Sequence, residues 1–284
     1  MHLQINGDSN FNKVPTTYLP KWKQKRMQVL KKYLSNNFMI YNADSFSLME
    51  MILEKHPNGC FDMIFADPPY FLSNNGITCK SGKIASVNKG EWDKSEGFHA
   101  DLEFYERWLK LSYSLLKPNG TIWVCGSQHN IYMVGYTLQK LGYYILNNIT
   151  WEKPDPPPNL SCRYFTHSFE TLLWAKKSKS AKHTFNYQQM CGLNGGEQMK
   201  CVWTIAPPKA IEKLFGKHPT QKPLALIERC ILAASNEGDL IFDPFMGSAS
   251  TGVAALNLQR KFCGSEIDTQ FFELSKRKLS VFER

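Results

Sequence analysis

None of the eight cysteines in this 284-residue chain stands in a C-x-x-C pair. That scatter offers neither paired metal ligands nor a disulfide framework, so no metal centre is expected. No apolar run reaches the roughly 18 residues that cross a bilayer, and the opening Met1-His2-Leu3-Gln4 has no signal-peptide pattern. A cytoplasmic protein with no membrane partner is expected. Internal repeats and low-complexity tracts are also missing. Acidic residues are in the minority: 25 Asp and Glu face 34 Lys and Arg, a net charge of +9. That excess favours a polyanionic partner through counterion release, although many basic proteins have none. With 43% hydrophobic and 21% charged residues, the chain suits one large α/β domain carrying a smaller insertion.

Residues 1–37 are polar and basic, with Lys21, Lys23, Lys25, Arg26, Lys31 and Lys32 around a possible helix over 21–34. They read as an extension outside the core, their charges more readily a solvated face than a nucleic-acid arm. From Phe38 the pattern alternates. A strand over Phe38-Met39-Ile40-Tyr41 is followed by a helix over 45–54 and a strand from Phe61 into Asp67. Residues 71–99 show no periodicity, as a lid or disordered loop would. Next come a helix over 101–116, a Lys117-Pro118-Asn119-Gly120 turn, a strand over 121–125, a helix over 129–141, and strands over 143–151 and 169–175. The last two flank a segment too proline-rich for regular structure. Residues 177–217 look irregular and basic. A helix over 222–235, a strand over 240–242, a helix over 249–258, a strand over 261–264 and a helix over 269–281 complete the chain. This alternation implies an α/β fold with a doubly wound, mostly parallel sheet.

The most informative segment is Asp67-Pro68-Pro69-Tyr70, directly after the apolar run Phe61-Asp62-Met63-Ile64-Phe65-Ala66. Two prolines forbid both helix and ladder and leave a stiff turn at the carboxyl end of a buried strand, where open α/β sheets place their chemistry. A carboxylate, a proline carbonyl and an aromatic ring on one turn suit a planar exocyclic amine. Asp67 and the Pro68 carbonyl would accept its two N–H bonds and Tyr70 would stack on its ring, freeing the nitrogen lone pair to attack an electrophilic methyl group. The plainer alternative is a proline turn that merely ends a strand. A second strand end, Asp243-Pro244-Phe245-Met246-Gly247-Ser248, runs into a helix through small residues that let a ligand approach the backbone. Glu266 follows the next strand, where a carboxylate can hold a ribose diol. Asp44 ends the first strand and either receives the amino group of a bound adenosine or caps the helix over 46–54.

Five segments in one order resemble the beta-class amino DNA methyltransferases: Asp67 to Tyr70, Trp92-Asp93, Asn148 to Lys153, His218-Pro219-Thr220-Gln221-Lys222-Pro223, and Asp243 to Ser248. The similarity spans roughly residues 38–280. It implies a Rossmann-like fold, circularly permuted so that the catalytic motif precedes the cofactor motif. It further implies a catalytic half over 38–176, a target-recognition insertion over 177–217 and a cofactor half over 218–284. S-adenosylmethionine is the implied methyl donor and N6 of adenine the acceptor. By the same resemblance Asp67, His218, Asp243, Phe245, Gly247 and Ser248 border the cofactor, Glu266 takes its ribose hydroxyls, and Thr220 and Lys222 reach its methionine carboxylate. This family usually has Gly where Ala249 stands here and Thr in place of Ser250, so a methyl group is expected to crowd the cofactor.

Asn159-Leu160-Ser161-Cys162-Arg163-Tyr164-Phe165-Thr166-His167 most resembles adenine methyltransferases of Dpn-type restriction-modification systems acting on GATC, while Asn130-Ile131-Tyr132 resembles enzymes of GANTC. Double-stranded DNA, with single strands as a further substrate, is the implied partner. A homodimer and a cognate restriction endonuclease acting on the same site are the other partners considered. Trp92, Lys153, Asn159, Arg163 and His167 are the candidate DNA contacts. Arg163 is placed as a base reader, with a phosphate contact or salt bridge as its alternative. Duplex adenine would have to be flipped out. Competing activities are cytosine-N4 methylation, more often built on Ser-Pro-Pro-Tyr; glutamine or RNA methylation, where Asn-Pro-Pro-Tyr is common for glutamine; and a non-catalytic DNA-binding subunit. Cytosine-C5 chemistry lacks its Pro-Cys dipeptide.

Overall fold

The computed structural model describes residues 31–73, 77–80, 83–86, 88, 90 and 93–283, with backbone alone for 77–80 and 83–86. Eleven strands are seen among them: β1 (Lys31–Leu34), β2 (Phe38–Asn42), β3 (Phe61–Ala66), β4 (Ile77–Lys80), β5 (Lys83–Ser86), β6 (Leu116–Gly126), β7 (Tyr144–Glu152), β8 (Phe169–Lys176), β9 (Val202–Thr204), β10 (Leu240–Asp243) and β11 (Lys261–Glu266). The α-helices are α1 (Ser45–Lys55), α2 (Phe98–Leu115), α3 (Ile131–Lys140), α4 (Tyr187–Leu193), α5 (Leu224–Ala234), α6 (Ser250–Asn257) and α7 (Thr269–Leu279).

Nine strands form one sheet in the order β1-β2-β11-β10-β3-β6-β8-β7-β9. Its centre, β2 through β6, is parallel, while β8 runs antiparallel to both β6 and β7. The central strand β3 shows why. Met63 and Phe65 enter one apolar core and Phe61, Ile64 and Ala66 the other, so both faces are covered by helices and the run is apolar apart from Asp62, which pairs with Lys117. One core holds α5 and α6 with the stacked pair Trp123–Trp174, whose ring centroids lie 4.9 Å apart. The other holds α1, α2 and α3 around Trp108 and Tyr105. Because the centre is parallel, Asp67, Asp243 and Glu266 all emerge at one edge of the sheet, as does the amino end of antiparallel β8. From β10 the chain winds to β11 on one side, while β3 and β6 lie on the other. A crevice therefore opens at this switch point.

Several expectations need correction. Lys31–Leu34 are not the end of a helix; they pair antiparallel with β2 through the register Lys31↔Asn42 to Leu34↔Met39, so the sheet begins inside the expected extension. The rest of that helix lies outside the described residues. The stretch 71–99 contains the β4–β5 hairpin. Lys117 to Gly120 are not a separate turn but part of β6, where the register against β3 shifts between Phe61 and Met63. The supposedly irregular 177–217 contains α4, a 3-10 turn over Ala210–Lys213, and β9, which extends the main sheet beyond β7. Its Met190, Trp203 and Ile205 are buried in the core.

Candidate active site

The Asp67-Pro68-Pro69-Tyr70 turn is fixed from two directions. Tyr105 on α2 donates its hydroxyl to the Pro69 carbonyl. Asp93, buried to 2% exposure, accepts from the backbone N–H groups of Tyr70 (3.0 Å), Phe71 (2.8 Å) and Leu72 (3.3 Å) and from the Ser73 hydroxyl (2.9 Å). These bonds hold Phe71 at φ 58°, a left-handed conformation that a bulky residue adopts only when its surroundings enforce it. Trp92, the neighbour of Asp93, lies outside the described residues.

On this turn sits a partly buried ionic cluster. Lys222 Nζ is 2.6 Å from Asp67 Oδ2 and 3.4 Å from Glu170 Oε2, and Lys153 Nζ is 2.6 Å from Glu170 Oε1. The Tyr70 hydroxyl donates to Asp67 Oδ1 at 2.8 Å and lies 3.2 Å from Glu170 Oε2. Lys222 also covers one face of the Tyr70 ring, 5.2 Å from its centroid. Burial works against the Lys222 ammonium, but Asp67 and Glu170 hold its pKa above the ordinary lysine value. Burial likewise opposes the Glu170 carboxylate, yet Lys222 and Lys153 keep it below the usual range. Burial beside two carboxylates pushes the Tyr70 hydroxyl well up, so it stays protonated as a donor.

Beside the cluster lies a cavity of about 560 Å³, walled by Asp67, Lys222, the turn from Asp243 to Ser248, Glu266 and Asp44. Drug-sized ligands occupy such volumes. Asp243 accepts from the Phe245 N–H (2.9 Å) and the Thr251 hydroxyl (2.6 Å), which fold the turn. Burial nevertheless raises its pKa to about 7. Gly247 has φ 51°, and a Cβ there would lie 3.1 Å from the His218 ring, so a side chain at this left-handed position would be strained and would press on His218. His218 packs on Phe271 and its Nδ1 accepts from the Thr220 N–H at 3.3 Å. Glu266 accepts from the Asp268 N–H (2.7 Å), and burial raises its pKa to about 8.

The other expected residues take the following places. Asp44 lines the cavity while accepting from Phe46 N and Ser47 N as the cap of α1. Lys222 points at Asp67 and Glu170. The methyl group of Ala249 packs in the hydrophobic core rather than in the cavity wall. The cost of that residue is conformational, because it stands at φ 55°, ψ 36° where Gly meets no penalty. Lys153 turns inward to Glu170 and over the Trp151 ring instead of outward to a partner. Asn159 organises the β7–β8 loop: its Nδ2 donates to the Tyr164 carbonyl (2.6 Å) and its Oδ1 accepts from Ser161 N and Oγ. Arg163 is exposed on that loop, and His167 contacts Gln128 at 2.9 Å and the Tyr164 ring. Phe165 stands 95% exposed between them. Glu170 and the four-donor role of Asp93 were not anticipated. Glu170 carries no local signal, since it reads as an ordinary polar position at the start of a strand.

A family model for DNA methylase, the N6/N4 methyltransferases, matches residues 61–277. The Type II methyltransferase M2.DpnII of Streptococcus pneumoniae is 50% identical over 263 residues, covering 92% of this chain and 97% of that protein. M2.LlaDCHI of Lactococcus lactis subsp. cremoris is 52% identical over 249 residues, 87% and 91% of the two chains. Among solved structures, the M1.HpyAVI–SAM complex is similar at TM-score 0.64 and 29% identity, covering 85% of this chain and 100% of that one. The PvuII cytosine-N4 methyltransferase, at TM-score 0.69 and 19% identity over 88% of this chain and 90% of its own, shares the fold. With the Asp-Pro-Pro-Tyr turn, its pinning carboxylate and the adjoining cavity on one sheet edge, the chain belongs to the N6/N4 DNA methylase family and is a DNA methyltransferase.

Proposed function

We propose that this protein methylates N6 of a flipped adenine in double-stranded DNA, with GATC as its target, and that S-adenosylmethionine is the methyl donor. The observation that carries this reading is Asp67, a carboxylate on a rigid turn opening into the cavity, with the Tyr70 ring beside it. Asp67 and the Pro68 carbonyl accept the two amine N–H bonds and draw the lone pair out of conjugation. Lys222 occupies one face of Tyr70, so the base stacks on the other. Stacking of this kind contributes roughly 1–3 kcal/mol, which offsets part of the few kcal/mol spent in extruding the base.

The cavity suits the donor. Glu266 stands where a ribose diol can donate to it, the Gly247 turn admits close backbone approach, and the carboxylates of Asp44 and Asp67 on the cavity wall complement a sulfonium cation. Bound there, S-adenosylmethionine supplies an electrophilic methyl group. The occurrence of β3 before β10 in the chain, with the two strands adjacent in the sheet, fits a circularly permuted order. Arg163, exposed on the β7–β8 loop, is the proposed base reader. By likeness to its Type II relatives the protein acts in the cytoplasm beside a cognate endonuclease of the same specificity. It is proposed to act as a homodimer.

The test is methylation of duplexes containing GATC, GANTC or neither, followed by nucleoside mass spectrometry. N6-methyladenine confined to the GATC duplex is expected. N4-methylcytosine would overturn the adenine assignment, methylation of a GATC-free site would overturn the target, and absence of transfer with intact DNA binding would leave a non-catalytic subunit.

A further inference from the structure

Lys278 on α7 is a buried lysine that the reaction above does not use. It is 5% exposed, and its Nζ donates to Ser248 Oγ at 3.0 Å and to Gln221 Oε1 at 3.4 Å, both neutral acceptors. Burial lowers its pKa to about 8, with Glu212 offsetting part of the effect. Ser248 and Gln221 both line the cavity, whereas Lys278 does not. The ammonium therefore lies one hydrogen bond behind the cavity wall, where the Asp243–Ser248 turn meets the His218–Lys222 segment. A buried cation with neutral partners is costly in an empty site and is relieved by an anion brought close to it.

We infer that Lys278 is a positioning residue for the carboxylate on the amino-acid arm of the cofactor, acting through the Ser248 hydroxyl. Ser248 Oγ accepts from Lys278, so its own hydrogen is left to point into the cavity and donate to that carboxylate. The ammonium polarises the hydroxyl and strengthens this donation. Lys222, the lysine that the sequence suggests for this task, is engaged by Asp67 and Glu170. The inference rests on the cofactor reading above and adds which end of the ligand lies at Ser248.

Calorimetric binding of two ligands tests it: S-adenosylhomocysteine, which has the carboxylate, and 5′-methylthioadenosine, which lacks the whole arm. Lys278→Met should weaken S-adenosylhomocysteine about tenfold, the loss of one charge-assisted contact, and change 5′-methylthioadenosine less than about twofold. Lys278→Arg, which keeps the cation, should restore most of the loss. Equal weakening of both ligands, or of neither, would overturn the proposal. If Lys278→Met does not fold, Ser248→Ala provides the same comparison, with the same selective loss expected and an equal effect on both ligands refuting it. Wild-type protein that binds neither ligand would overturn the cofactor reading, whereas wild-type binding with unchanged discrimination in the variants overturns only the role of Lys278.

Discussion

Replacing Glu170 by Gln should disturb both stability and catalysis, because this carboxylate pairs with two lysines, one of which also holds the catalytic Asp67. In the wild-type cluster Lys222 and Lys153 are matched by Asp67 and Glu170. The variant leaves two ammonium groups against one carboxylate. At 3.4 Å the Lys222–Glu170 attraction amounts to about 5 kcal/mol gross at the effective permittivity of such sites, and the closer Lys153 contact adds more. Desolvation offsets most of that, so the expected loss in unfolding free energy is about 3 kcal/mol, within the range for unbalancing a buried pair. Lys222, relieved of Glu170, should then bind Asp67 more tightly and make it a poorer acceptor for the amine. A fall in kcat of about tenfold, or 1.4 kcal/mol, should accompany unchanged cofactor affinity. Urea unfolding, which does not screen charge, measures the first effect and single-turnover methylation the second. The decisive variant is Glu170→Gln with Lys153→Met, in which Lys222 and Asp67 are again balanced. It should recover at least about 1 kcal/mol relative to the sum of the single changes. Additive losses in the double variant would refute the account of the cluster as one electrostatic unit.

Asp67→Ala should reduce methyl transfer by two to three orders of magnitude, the usual effect of removing a positioned electrostatic group, while S-adenosylhomocysteine affinity changes less than about fivefold; residual activity above a hundredth of wild type would contradict its role. Ala249→Gly releases about 1–2 kcal/mol of left-handed strain but loses a buried methyl worth about 0.8 kcal/mol and gains unfolded-chain entropy. Stability should therefore stay within about 1 kcal/mol and cofactor affinity within about twofold, and a large affinity gain would show that the methyl does crowd the ligand. Glu266 is raised from 4.5 to about 8 by burial, so the folded state holds a proton there that the unfolded chain has lost. Its contribution to stability accordingly falls as pH rises from about 4.5 to about 8. Glu266→Gln should flatten that part of the profile and be the more stable protein by a few kcal/mol at pH 8.5, with thermal melts across pH as the measurement and an unchanged slope as the refutation.

The sequence by itself determined the strands and helices whose signals are local. Two prolines after a doubly buried run place the catalytic turn at the end of β3, and small residues after Asp243 place the second turn at the end of β10. Alternation of strand and helix then requires a parallel sheet, which brings both turns to one edge. The tertiary structure alone decided which charges meet there. Glu170 reaches Tyr70 from 100 positions away and Lys222 reaches Asp67 from 155, and no periodicity encodes such separations. Likewise β1 and β9 are strands because open sheet edges at β2 and β7 offer them backbone partners; their own residues, Lys-Lys-Tyr-Leu and Val-Trp-Thr, are too few to announce a period. Lys153 follows the same logic. In sequence it is one more basic residue before a proline-rich loop, but in the fold its ammonium lies 2.6 Å from a largely buried carboxylate, and an opposite charge at that distance, shielded from most of the solvent, outweighs solvation of an exposed lysine.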